Sequence, residues 1–191
     1  MNRLALPLLF ALAGCTVGEV PPSATMPVSA VGPVTDPMRA SVLSSAYVFG
    51  HPASTRPADR ARGAAMVEFM AADYRWNPRW WEYSPTVGIQ LDEARAELRR
   101  AYSVPPGAPP QVVVDAMVAT GAALEARDEA AARGTLVARG FPAPDATLAA
   151  LSVPRPLPAA ARATSLAESE LMRIETQNRF SGDGGSSGSH P

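Results

Sequence analysis

Apolar side chains recur at helical spacing along most of this 191-residue chain, and prolines mark where such segments begin and end. The clearest segment starts at Ser84-Pro85, since serine is a favoured N-cap and proline a favoured first helical residue. Its apolar residues then follow at steps of mostly three and four, at Val87, Leu91, Ala94, Leu98, Ala101 and Tyr102. This pattern predicts an amphipathic helix with one face against a core.

The same signals predict four more long helices, over residues 37–49, 57–76, 111–133 and 159–179, and a short one over 145–151 capped by Asp145. In the helix over 37–49 the residues expected to face inward are Met38, Val42, Ser45, Ala46 and Phe49, and in that over 57–76 they are Ala65, Met66, Phe69, Met70 and Asp73. In the helix over 111–133 they are Val113, Met117, Thr120, Leu124 and Ala131. In the helix over 159–179 they are Ala160, Ala163, Ala167, Leu171, Ile174 and Asn178. The only β-branched run, residues 112–114, lies inside a helical period. We therefore predict an all-α fold, a single irregular bundle of about five helices.

Charged side chains are expected to lie away from the core of this bundle. In the second helix these are Arg60, Arg62 and Glu68. In the third they form a solvated face of Asp92, Glu93, Arg95, Glu97, Arg99 and Arg100, paired as Asp92/Arg95 and Glu97/Arg100. Because a short proline-rich loop, residues 105–110, joins the third and fourth helices, these two are expected to form an antiparallel hairpin.

The first fifteen residues, MNRLALPLLFALAGC, have the three parts of an export signal. Arg3 supplies the positive start, an apolar run of ten residues follows from Leu4 to Ala13, and small residues precede a cleavage site. That run is too short to span ~30 Å of hydrocarbon as a permanent helix. We therefore expect the leader to be removed.

Leu12-Ala13-Gly14-Cys15 resembles the lipobox of bacterial lipoproteins. The resemblance implies that residues 1–14 are a lipoprotein signal peptide and that Cys15 receives a diacylglycerol on sulfur and a third acyl chain on its amino group. It also implies that Thr16, rather than Asp, favours the periplasmic face of the outer membrane. Cys15 is the only cysteine, so it cannot form an intramolecular disulfide. An ordinary signal peptide, or a buried N-terminal helix, with a cysteine there by chance remains the alternative.

Two segments outside the helices have linker-like composition. Residues 15–36 mix Pro, Ser, Thr and Gly without a period, which predicts a flexible tether of about 25 Å root-mean-square length. Residues 181–191 are a low-complexity Gly/Ser tail, expected to be disordered. The helical domain is then expected to occupy residues 37–180.

Composition excludes several kinds of chemistry. The formal charge is −1, so nucleic-acid binding is not expected, and the absence of Lys rules out a Schiff base or a phosphate-loop lysine. Of two histidines, His190 lies in the tail and His51 follows a helix-ending Gly50, and no Glu-x-x-His motif occurs. The carboxylate pairs Glu93/Glu97 and Glu125/Glu129 are typical of a charged surface. We predict no metal, no cofactor and no catalytic residue.

One stretch between the second and third helices is unusually aromatic. It holds all three tryptophans, and its candidate patch comprises Tyr74, Trp76, Asn77, Arg79, Trp80, Trp81 and Tyr83. One interpretation is a wedge of indoles between helices, with the indole N–H groups bonded to loop carbonyls and Arg75 or Arg79 stacked on a ring. A second is a contact with a partner protein, because Trp, Tyr and Arg dominate interface energetics. A third is a saccharide platform on which Asp73, Asn77 and Glu82 bind hydroxyls.

These observations lead to two hypotheses on function. The first is a membrane-anchored periplasmic lipoprotein that acts as a non-catalytic scaffold or accessory subunit of an envelope assembly, with an envelope protein as partner. The alternative is a module that binds envelope glycan such as peptidoglycan, or a weak hydrolase, through the Trp76–Tyr83 region. Beyond the lipobox, the chain resembles no family.

Overall fold

The computed structural model describes residues 23–33 and 36–183, and every regular element in these ranges is helical. The α-helices are α1 (Val28–Val31), α2 (Pro37–Gly50), α3 (Pro57–Asp73), α4 (Pro85–Ala101), α5 (Pro110–Glu125), α6 (Glu129–Ala138), α7 (Pro144–Ser152) and α8 (Pro158–Asp183). Two short 3-10 helices, Pro52–Ser54 and Pro78–Trp80, precede α3 and α4. Five helices are long, namely α2 to α5 and α8. The prediction of an all-α bundle is confirmed.

Most helix starts follow directly from local sequence. Helices α2, α3, α4, α5, α7 and α8 each begin with proline, which fixes φ and has no N–H to leave unpaired. Side-chain caps occur at the starts of α2, α4 and α6, where Asp36 accepts from the Met38 amide, Ser84 from Thr86 and Asp128 from Ala131. The predicted inward face of α2 is buried in full.

Helix α3 is enclosed by its neighbours α2, α4, α5 and α7. Fourteen of its seventeen residues are buried, so it has no broad solvated face. Close packing depends on small residues, since a Cβ at Gly63 would come within 2.9 Å of Val48 Cγ1 on α2. The prediction that Arg60 and Glu68 lie away from the core is therefore wrong. Only Arg62 of the three predicted residues lies at an edge.

The predicted hairpin of α4 with the following helix is wrong, because α5 packs mainly on α3. Arg62 near the start of α3 pairs with Glu125 at the end of α5, while Ala72 and Pro110 share a groove at the opposite ends. The two helices therefore run antiparallel. The apolar face of α4 is instead covered by α8 and α3.

Two hydrogen bonds fix α4 antiparallel to α8. The Ser84 amide donates to Glu170 and the Ala160 amide to Glu97, each over 2.9 Å. The predicted solvated face of α4 is thus only partly correct, because Glu97 caps α8. Asp92 pairs with Arg75 rather than with Arg95.

Glu170 offers a test of the α4–α8 contact. Arg173 pairs with its carboxylate over 2.8 Å, and this bond and the Ser84 amide hold the pKa of Glu170 below its usual value. The stabilisation is thus complete above the unfolded pKa of about 4.3 and is lost as the pH falls through the lower folded pKa. We expect Glu170→Gln to lower the free energy of unfolding by about 1 kcal/mol at pH 7 and by less at pH 3.

Urea unfolding at both pH values measures this difference. Glu168→Gln on the same helix is the control, because no ion pair of Glu168 occurs among the described side chains. An equal loss at pH 7 and pH 3 would show that the Glu170 carboxylate does not act through its charge.

The predicted single helix over 111–133 is interrupted. Helix α5 ends at Glu125 and α6 begins at Glu129, with Arg127 at a φ of 59° between them. Asp128 caps the new helix, so Ala131 is exposed and Ala132 and Leu136 enter the core. The signal for this break was Asp128, a favoured N-cap residue inside an otherwise helical pattern.

The ends of the described chain differ from the expected tether and tail. Ala24 and Met26 are buried in the core, and Thr25 donates its amide to the Gln111 side chain over 2.8 Å, so residues 23–33 are docked on the bundle. Helix α8 continues to Asp183, and Asn178, expected to face inward, is exposed. The predicted leader 1–14, Cys15, residues 16–22 and the part of the predicted tail from 184 lie outside the described residues.

Helix α7 is also one residue longer at each end than expected. It begins at Pro144, and Asp145 lies in its first turn rather than at the N-cap, which is Ala143. The Asp145 carboxylate pairs instead with Arg133 of α6 over 2.8 Å.

Candidate functional site

The aromatic segment forms the connection from α3 to α4. After α3 the amides of Trp76 and Asn77 donate to the Asp73 carbonyl, and the Asn77 side chain then accepts from the Arg79 amide over 3.1 Å. This cap starts the 3-10 turn Pro78–Trp80. Because neighbouring residues in so tight a turn point in different directions, the candidate patch is divided into a buried and an exposed part.

Trp80 lies at the centre of the buried part. Its side chain is 1% exposed, and its indole Nε1 donates to Asp73 Oδ2 over 3.0 Å. The ring centroids of Tyr74 and Tyr83 lie 5.3 Å and 4.8 Å away. The Tyr74 hydroxyl donates to the Ser84 carbonyl, and its ring occupies the space a Cβ on Gly88 would need. These three aromatic residues hold α3 and α4 together, and the indole partner is a carboxylate rather than a loop carbonyl.

Trp81 and Trp76 form the exposed part. Trp81 is 81% exposed and Trp76 is 44% exposed. The two arginines expected to stack on rings instead form ion pairs, Arg79 with Asp36 over 2.6 Å and Arg75 with Asp92 over 2.7 Å. Adjacent tryptophans in the sequence thus have opposite environments.

A groove of about 470 Å³ lies beside Trp81. The residues that matter in it are Met38, Arg79, Trp81, Tyr83, Leu171 and Ile174. The Tyr83 hydroxyl is buried and has no hydrogen-bond partner among the described residues. Burial, followed by the charge of nearby carboxylates beginning with Glu175, raises the pKa of Tyr83 to about 12. The hydroxyl therefore keeps its proton at neutral pH.

Glu68 forms a buried ion cluster that sequence reasoning missed. It is 3% exposed, and its carboxylate bonds Arg95 Nε over 2.9 Å and Arg99 Nε over 2.9 Å. Arg99 also donates to the Ala108 carbonyl over 2.9 Å, which links α3, α4 and the loop before α5. The available signal was the small and apolar residues around the whole circumference of α3, a pattern typical of a helix buried on every side.

Arg60 is a second buried charge, 4% exposed. Its guanidinium donates to the Leu151 carbonyl over 2.7 Å, to the Ser152 carbonyl over 3.3 Å and to the carbonyl of Thr55. The first two are at the end of α7, where unpaired carbonyls and the helix dipole attract a cation. Burial lowers the pKa of Arg60, yet a guanidinium stays charged in proteins.

The remaining candidates for chemistry are dispersed. His51 stacks on Tyr47, with ring centroids 4.9 Å apart, and its Nδ1 lies 3.0 Å from the Tyr47 carbonyl. The described part of the chain contains no group of three or more His, Cys, Asp or Glu residues close enough to share a metal ion. Within the same part, no helix is both long and apolar enough to cross a bilayer.

No family model, curated protein or solved structure matches this chain. The residues that bear on function are therefore this chain's own, namely the predicted lipobox that ends at Cys15, the exposed Trp76 and Trp81, and the buried charged side chains with their partners.

Proposed function

We propose that this chain is a bacterial envelope lipoprotein, anchored by acyl chains on Cys15, whose helical domain is a non-catalytic scaffold or accessory subunit. The observation that carries the proposal is Leu12-Ala13-Gly14-Cys15 directly after a ten-residue apolar run. Three acyl chains would provide a stable anchor, because two or more are enough to hold a protein on a membrane. Thr16 after the cysteine favours the periplasmic face of the outer membrane.

The bonding partners of the buried charged side chains support the non-catalytic part of the proposal. The buried ionisable groups Glu68 and Arg60 are bonded to structural partners, and the Asp73 carboxylate is bonded to the Trp80 indole. A general acid, base or nucleophile needs access to a substrate. These groups instead hold helices together.

The alternative of a glycan-binding module has less support. It requires Asp73, Asn77 and Glu82 to bind sugar hydroxyls beside a tryptophan. The Asp73 carboxylate and the Asn77 side-chain oxygen already accept hydrogen bonds from Trp80 and Arg79, which leaves Glu82 and the exposed Trp81. This hypothesis stays a prediction.

Replacing Cys15 with serine tests the anchor. We expect the variant to lose incorporation of a fatty-acid probe and to keep its leader, because both acylation and the implied cleavage require the thiol. Metabolic labelling followed by mass measurement of the intact chain checks both changes. The control is Thr16→Ser, which keeps the cysteine and should be labelled as wild type. Label that persists on Cys15→Ser would refute the anchor.

The scaffold role has its own test. Crosslinking in intact cells, followed by identification of the captured proteins, should give a defined envelope protein from the wild-type chain. Turnover of purified peptidoglycan by the isolated lipoprotein would contradict the non-catalytic assignment.

A further inference from the structure

Several segments meet at one end of the bundle, which we call the tether pole. It contains the docked residues 24–26, the first turn of α2, the aromatic connection and the starts of α4 and α5. The bonds that bring them together join Asp36 to Arg79 over 2.6 Å and Thr25 to Gln111 over 2.8 Å. The N-terminal part of the chain therefore enters the described fold at the tether pole.

The last turns of α8 extend from the same pole. Arg39 in the first turn of α2 pairs with Glu175 over 2.7 Å, so the residues of α8 after 175 lie at or beyond this end of the bundle. Residues 176–181 are all exposed, and Phe180 is 77% exposed. Together with Trp81, this places two aromatic side chains that are more than three quarters exposed on the tether pole, whereas Trp76 is 44% exposed.

The distance from the anchor to the fold is limited by covalent geometry. Ser23, the first described residue, follows Cys15 by eight residues, which span at most about 28 Å when fully extended. Because Ala24 and Met26 are buried, the chain cannot lengthen this reach without leaving the core. An anchor at Cys15 thus keeps Ser23, and with it the tether pole, within about 28 Å of the bilayer.

We propose that Trp81 and Phe180 insert into the headgroup region of the bilayer that holds Cys15, an inference that rests on the proposed function. Tryptophan favours this region, where its ring is partly in apolar surroundings and its N–H stays hydrated. The groove beside Trp81 has the buried Leu171 and Ile174 at its base and the charged side chains of Asp36, Arg79 and Glu82 at its rim. Membrane contact would cover Trp81 together with this groove.

The net charge of the tether pole indicates which lipid headgroups it can bind. Four arginines at this end pair with carboxylates: Arg39 and Arg179 share Glu175, Arg79 pairs with Asp36 and Arg173 with Glu170. Together with Glu82 there are four carboxylates for these four arginines, so this end has no basic excess to attract anionic headgroups. Insertion should therefore occur on zwitterionic phosphatidylcholine and change little with salt.

Fluorescence quenching by brominated lipid tests the insertion. The chain isolated from membranes is reconstituted into phosphatidylcholine vesicles, with or without bromine on the acyl chains near the headgroup. We expect bromine to quench the wild-type fluorescence, and Trp81→Phe to remove at least half of the quenching. Trp76→Phe is the matched control and should keep most of the quenching, because Trp76 is only 44% exposed and lines a different groove, beside Arg75 and Asp92. Trp80 is buried and insensitive. Equal urea midpoints of both variants would verify that folding is intact.

The mass of the same sample separates this inference from the proposed function. If no acyl chain is found, the anchor proposal fails, and the single thiol of Cys15 is coupled to a maleimide phospholipid before quenching is measured again. Quenching at Trp81 in the acylated or the coupled chain supports the tether-pole contact. If the chain carries a lipid and Trp81 is not quenched, the tether-pole contact is overturned. It is also overturned if peptidoglycan changes the emission of Trp81 and brominated vesicles do not.

Discussion

Replacing Glu68 with alanine is expected to lower the free energy of unfolding by about 3 kcal/mol, because two guanidinium groups lose the carboxylate that bonds them both. The Arg95 and Arg99 side chains are partly buried, 26% and 18% exposed, so water cannot fully replace the lost partner. The variant would also break the bridge in which Arg99 joins Glu68 of α3 to the Ala108 carbonyl in the loop before α5. Urea unfolding followed by circular dichroism measures the change.

Two further variants define the cause of that loss. Glu93→Ala removes an exposed carboxylate from α4 and should change stability by less than about 0.5 kcal/mol. Replacing Glu68, Arg95 and Arg99 together by methionine should recover at least half of the loss, since an apolar set leaves no buried charge unpaired. If Glu68→Ala unfolded at the wild-type urea concentration, the ion cluster would not exist in solution.

Helix boundaries were predictable because their causes are local. Proline at the first position and caps such as Ser84 act within a few residues, and α4 begins where this pattern placed it. The burial of Arg60 and Glu68 has a different origin. It follows from four helices surrounding α3, and the period of one segment does not show how many neighbours cover it. The assumption that each helix keeps a solvated face therefore failed at α3.

The candidate patch shows the same limit of sequence-based prediction at the level of single residues. Aromatic density marked residues 74–83, but it could not distinguish Trp80 from Trp81. That difference depends on the 3-10 turn begun by the Asn77 cap and on Asp73, seven residues away, as partner of the Trp80 indole. The docking of Ala24 and Met26 was likewise hidden, because an isolated apolar residue among prolines has no period to detect.

The buried charge of Arg60 leads to the second large effect. Arg60→Met keeps the length of the side chain but removes the donors to the carbonyls of Thr55, Leu151 and Ser152. Each buried carbonyl left without a partner costs about 1–3 kcal/mol, so we expect a total loss of about 4 kcal/mol. Hydrogen exchange should show that α7 loses amide protection before the rest of the bundle, because its last turn is released.

Two further variants show whether the charge of Arg60 or the geometry of its guanidinium stabilises the fold. Arg60→Lys keeps the cation, but one ammonium cannot reach three carbonyls at once, so its loss should fall between those of wild type and Arg60→Met. Arg62→Met removes an edge residue on the same helix, paired with Glu125, and should cost at most about 1 kcal/mol. Equal losses for Arg60→Met and Arg62→Met would show that the guanidinium does not hold α7. A larger loss of unfolding free energy for Arg60→Met than for Arg62→Met would instead show that the position of α7 depends on this one buried guanidinium.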